Sequence, residues 1–235
     1  MLIAILNQST VVQNADVATM TAAIASQVQS DVAPIWERAP ASVVFYTDPT
    51  AIPPGAHGIA IVDTIQDQPT GVLGLHTTDQ AGQVWGVVAA QPELTNGGKV
   101  LTGDWSVSST LSHEVLEMFV DPNCNLWAND GKGSVYSLEV CDPVEAPTYT
   151  VNGVSVSNFV TPAWFDPLAP AGAQFDKLGQ LTAGFSILPG GYMTYESKGK
   201  EQQQWGTAYP SWRKQTKGAP WARAQQRVLQ ASYHM

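Results

Sequence analysis

Residues 110–121, Thr-Leu-Ser-His-Glu-Val-Leu-Glu-Met-Phe-Val-Asp, constrain this chain more than any other stretch. Wound as a helix, they place Thr110, His113, Glu114, Glu117 and Asp121 within one arc about 100° wide. Leu111, Val115, Leu116, Met118, Phe119 and Val120 cover the rest. Such a segment is a buried helix with one polar stripe. Burying an imidazole and two carboxylates costs on the order of several kcal/mol each unless they are paired or bound to a cation. Pro122 disfavours helical geometry at Asp121, so a helix that starts near Trp105 must end near Val120.

A metal ion accounts for the stripe. His113 and Glu117, four residues apart, sit one above the other and reach a single ion, while Glu114, turned by about 100°, reaches a water on that ion. This is the logic of His-Glu-x-x-His with glutamate in place of the second histidine. The anionic oxygen makes the site harder and less Lewis acidic, which leaves calcium or manganese open, but zinc remains the first expectation. The plainer alternative is that these side chains only hydrogen-bond on an exposed helix face. A third ligand has to come from elsewhere. Residues 137–145 offer Glu139, Asp142 and Glu145, and the same cluster could instead hold a separate structural calcium ion.

Around the motif the pattern is mixed. Strands are expected over 2–6, 41–46, 58–62, 72–76 and 84–90, with an amphipathic helix from about Asn14 to Glu37 bent near Pro34. Beyond Asn125 the chain loosens into Gly-, Pro- and Asn-rich loops, with strands over 134–142 and 148–159. A last helix is expected from about Pro220, with Trp221, Ala224, Val228 and Leu229 on one face. His76, in a strand, and His234, at the chain end, read as satisfied or solvated residues rather than ligands.

The helix and its setting resemble zinc metallopeptidases of the zincin type. In the metzincin branch a small mixed sheet and a backing helix precede the active-site helix, and the last strand before it is an edge that binds extended peptide. The resemblance implies that role for residues 83–90, with Trp85, Gly86 and Val87 meeting substrate. In gluzincins a downstream glutamate completes the site and an aspartate three residues later orients the first histidine. That implies Glu139 as ligand and Asp142 as its supporting group or an alternative ligand. Residues 190–195, Gly-Gly-Tyr-Met-Thr-Tyr, resemble a Met-turn, which implies Met193 beneath the metal and Tyr195 bonded to a developing oxyanion. Over 110–145 the run Ser-His-Glu-x-x-Glu, Asp-Pro, Trp and Glu-x-x-Asp is also similar to the EXORDIUM, or phosphate-induced, family of plant proteins and related microbial sequences.

The expected fold is therefore α+β. A zincin-like part over 1–122, with mixed sheet, backing helix and active-site helix, is followed by a loop-rich part over 123–235, the two forming one integrated domain. The expected function is that of a metal-dependent hydrolase, a zinc metallopeptidase with Glu114 as general base and a peptide or protein as substrate. The competing expectation is a noncatalytic, metal-stapled structural or binding protein, such as a virion or secreted-assembly component.

Composition bounds the remaining classes. Hydrophobic residues at 44% of 235 supply a real core, while only 13% charged residues beside 20 glycines and 16 prolines suit a loop-rich surface. Residues 1–197 carry 19 acidic and 4 basic side chains, and 198–235 carry 1 and 7, so a basic tail is expected to dock on an acidic body. The net charge of −9 argues against general nucleic-acid binding. No run approaches the ~18 apolar residues of a membrane span, and the N-terminus reads as a strand and not a signal peptide. A soluble protein is expected, whether cytoplasmic, virion-associated or exported by a non-standard route. Cys124 and Cys141 are open to three readings: buried thiols, a disulfide, or metal ligands.

Overall fold

In the computed structural model, which describes residues 1–66, 68, 71–79, 81–208, 210, 212 and 213, the apolar N-terminus forms strand β1 (Leu2–Asn7). Ile3, Ala4 and Ile5 are all fully buried. Helix α1 (Asn14–Gln27) follows and buries Val17, Met20 and Ile24, three residues at helical spacing. It then widens into a π turn (Val28–Val32) before a short α2 (Ala33–Ile35). Pro34 has no N–H and its ring crowds the preceding turn, so the regular ladder cannot pass through it unchanged.

Strands β2 (Ser42–Tyr46), β3 (His57–Val62), β4 (Gly74–Thr78) and β5 (Val84–Ala89) complete a five-stranded sheet ordered β2-β1-β3-β5-β4. All its pairs are parallel except β4 with β5. The expectation that residues 83–90 form the edge is overturned, because β5 lies between β3 and β4, and among the described residues the edge belongs to β4. Five of the six β5 residues are buried against two of five in β4, so the more apolar strand takes the interior place. The Asp79 carboxylate accepts the amides of Ala81 and Gln83 and closes the turn that brings the chain back from the edge.

After a short α3 (Ala90–Thr95), which no sequence signal announced, comes the motif helix α4 (Val107–Val120). A capping box starts it, with Ser106 accepting the Ser109 amide and Ser109 Oγ accepting the Ser106 amide. Helix α1 packs on β1 and β2, α4 packs on β4 and β5, and the helices touch, so they lie side by side on one face of the sheet.

The second half adds β6 (Trp127–Asn129), β7 (Ser134–Ser137), β10 (Tyr192–Ser197) and β11 (Lys200–Trp205) as an antiparallel sheet ordered β11-β10-β7-β6. A separate hairpin, β8 (Thr148–Val151) and β9 (Val154–Ser157), packs on α1 and α4. Three expectations change. The strand expected over 134–142 stops at Ser137, and residues 142–144 form a 3-10 turn. The one expected over 148–159 is split by Asn152-Gly153, both with φ near the left-handed region that a tight hairpin demands. Residues 192–197 are strand and not turn.

Among the described residues the architecture is thus mixed α/β with three sheets and few helices, in keeping with α+β. One apolar cluster runs from Ile3 to Met193 and draws on both halves of the chain. Among the described residues no helix is long and apolar enough to cross a membrane. The helix expected from Pro220, and His234 with it, lie outside the described residues.

Candidate metal centre

The polar stripe of α4 opens into a cavity of about 380 Å3 whose wall includes Thr110, His113, Glu114 and Glu117. The rest of the helix is anchored, with Leu111, Val115, Leu116 and Met118 fully buried. At about 1.5–3 kcal/mol for each such side chain, this packing can hold the charged stripe in place. Beside it, Ser112 Oγ donates to Gln27 Oε1 (2.7 Å) and accepts the Ser157 amide (3.0 Å). Gln27 Nε2 donates to the Ser157 carbonyl (2.9 Å). The residue before His113 is therefore tied to both the π-turn junction and the β8–β9 hairpin.

Three ligand-type atoms meet at the cavity floor. His113 Nε2 lies 3.3 Å from Glu117 Oε2 and 3.2 Å from Asp142 Oδ1. A tetrahedral zinc ion with bonds of about 2.0–2.1 Å would separate its ligands by about 3.3 Å, which these two distances match, and the three ligand atoms all lie within 4.8 Å of one another. Asp142 arrives from the 3-10 turn and not from a strand, which explains how it reaches the helix. Glu117 Oε1 accepts the Cys141 amide (3.2 Å), so that neighbour contributes its backbone.

Glu139 does not join His113. It groups with His76 and Glu117, whose ligand atoms lie within 4.8 Å of one another. His76, expected to be an uninvolved strand histidine, is buried beside α4, its Nε2 donating to the Asp121 carbonyl (3.1 Å) and its Nδ1 3.5 Å from Glu114 Oε2. The only local hint was Gly74-x-His76, which puts both residues on one face of a strand. Gly74 is needed there, since a Cβ would strike the Glu114 carboxylate.

The electrostatics follow from this crowding. Burial disfavours a charged His113, but the Glu117 and Asp142 carboxylates outweigh it and hold its pKa well above the usual imidazole value. Burial likewise opposes charge on His76, and the Cys124 sulfur and the Glu114 carboxylate reverse the balance, so its pKa is also raised. Burial and then the nearby Glu117 charge push Asp142 up to about 7. Imidazoles facing carboxylates in a dry pocket need positive charge between them, from protons or from a metal ion.

The remaining implied residues divide. Trp85 lines the cavity from the far side of the edge strand, whereas Gly86 and Val87 sit inside the sheet opposite His76 and Leu75. Met193 is buried in the apolar cluster. Tyr195 stacks on Tyr136 and its hydroxyl donates to Gln202 Oε1 (3.1 Å), while Tyr192 and Thr194, on the opposite face of β10, line the cavity. Cys124 and Cys141 are both free and buried; Cys124 Sγ donates to the His76 carbonyl, and burial pushes the Cys141 thiol pKa well up. Arg213, a buried residue from the basic segment that lines the cavity, donates to the Gly71 carbonyl, pairs with Glu145 and lies over the Trp105 ring. No sequence signal singled it out. No protein-family model, curated protein or solved structure matches this chain.

Proposed function

We propose that the protein is a metal-dependent hydrolase, a zinc metallopeptidase on a zincin-like scaffold. The observation that carries this is His113 Nε2 at zinc-ligand separations from both Glu117 and Asp142, with Glu114 lining the same cavity. A purely structural site has no use for Glu114. A bound divalent ion would polarise a scissile carbonyl and acidify the attacking water. Glu114 accepts the proton that water loses and returns it to the leaving amine as the carbon–nitrogen bond breaks.

The open side of β4 supports a peptide as the substrate. An extended chain can pair with an edge strand through its backbone, and Gly74, Leu75, His76 and Thr77 of this strand all border the cavity. Trp85 and Trp105 add apolar surface to its wall.

The test is hydrolysis of a mixed peptide library by the zinc-loaded protein, read by mass spectrometry. Cleavage that a chelator removes, zinc restores and Glu114→Gln abolishes is the expected result. A chelator-insensitive activity, or a Glu114→Gln variant as active as wild type, overturns the reading. A zinc-loaded protein with no turnover points to the metal as a staple.

A further inference from the structure

We propose that the cavity binds two divalent ions, with Glu117 bridging them. This rests on the reading of His113, Glu117 and Asp142 as the first position. The second is formed by His76, Glu117 and Glu139, all buried and with ligand atoms within 4.8 Å of one another. Glu117 belongs to both groups.

The chemistry of His76 points to a ligand. Its Nε2 faces the Asp121 carbonyl at 3.1 Å, and because a carbonyl only accepts, Nε2 carries the hydrogen. Metal-bound histidines are held in this way, with one ring nitrogen donating to a backbone carbonyl and the other turned to the ion. Here the other nitrogen, Nδ1, faces Glu114 Oε2 at 3.5 Å, a separation too long for a good hydrogen bond. Glu114 Oε2 is itself buried and makes no hydrogen bond. An imidazole nitrogen and a carboxylate oxygen turned towards each other in a dry pocket need positive charge between them, and a divalent ion can supply it in place of a proton on Nδ1.

Charge points the same way. Glu114, Glu117, Glu139 and Asp142 all border the cavity, and the one arginine or lysine among its described lining residues, Arg213, is paired with Glu145. Once metal has displaced the protons from the imidazoles and from Asp142, one divalent ion offsets half of the four negative charges and two offset all of them. Ions about 3.5–4 Å apart, sharing a carboxylate, clamp both the attacking and the leaving atoms of a hydrolysis.

The experiment is native mass spectrometry of the full chain, stripped with chelator and dialysed against Zn2+, with X-ray absorption at the zinc edge. Two ions per chain are expected in the wild type. His76→Ala and Glu139→Gln should each retain one, as should His113→Ala, and the absorption spectrum should contain a zinc–zinc vector of about 3.5–4 Å. One ion in the wild type, lost in His113→Ala, overturns the second position and leaves the first standing. Two ions indifferent to both His76→Ala and Glu139→Gln, or two without a zinc–zinc vector, also overturn the bridged pair. No zinc at all overturns both positions.

Discussion

Gly74 on the edge strand and Glu114 on the motif helix occupy adjoining space so closely that a Cβ at position 74 would collide with the Glu114 carboxylate. The edge strand thus sets where the proposed base can stand. Gly74→Ala should cost little stability, since alanine suits a strand better than glycine, by about 0.5–1 kcal/mol. It should displace Glu114 and lower kcat by about ten-fold or more, with metal content unchanged. Steady-state kinetics beside zinc analysis checks this; an unaltered kcat would mean that Glu114 has no fixed catalytic position.

Asp142, and not Glu139, closes the triangle with His113. Asp142→Ala should therefore weaken the ion held by His113 more than the roughly 10–100-fold typical of a supporting group. Glu139→Gln should leave that ion in place. Competition with a chromogenic chelator measures both, and the reverse order would return Glu139 to the first position.

Gln27 joins the π-turn junction to Ser112 and Ser157 through buried hydrogen bonds. Replacing it by leucine leaves the Ser157 carbonyl and the Ser112 hydroxyl without these partners, at a cost of about 1–3 kcal/mol for each buried group left unpaired. For a chain of this length each kcal/mol lowers Tm by roughly 2–4 °C. Calorimetry that finds Gln27→Leu as stable as wild type would remove this network from the account of how His113 is positioned.

Glu93 is fully buried and receives the Thr110 hydroxyl at 2.6 Å. Burial raises its pKa to about 8, against the opposing effects of Thr110 and Arg213. Below the ordinary carboxylate value of about 4.3 both folded and unfolded chains hold the proton, so Glu93 contributes no pH dependence there. From there to about 8 the unfolded chain has released it and the folded chain has not, so stability falls as pH rises, by several kcal/mol in order of magnitude, and levels off above. Glu93→Gln keeps an acceptor for Thr110 and cannot titrate. Its advantage over wild type in denaturant unfolding should grow between pH 5 and about 8; a constant difference would refute the raised pKa.

The motif helix was legible because everything that makes it is local. Its apolar spacing and the proline after Asp121 lie within one stretch, and the polar stripe follows from the helical repeat alone. Strands β1, β2, β3 and β5 were legible for the same reason, within a residue or two of their observed ends. The order of those strands in the sheet was not. Both β4 and β5 carry apolar residues, and which one becomes the edge depends on pairing with β3, far away in sequence.

Side-chain parity shows the same division at finer scale. Tyr192 and Tyr195 are both tyrosines near one methionine, but strand alternation sends Tyr192 to the cavity and Tyr195 to Tyr136, and only the register of β10 on β7 says which face is which. His76 became a candidate ligand when β4 was laid across α4, because its spacing from His113 carries no signal in a linear chain. The sequence by itself determined a buried helix that must offset an imidazole and two carboxylates. Tertiary packing alone decided which distant groups meet them, since contact between remote segments depends on strand order and loop path, and neither is written in local periodicity.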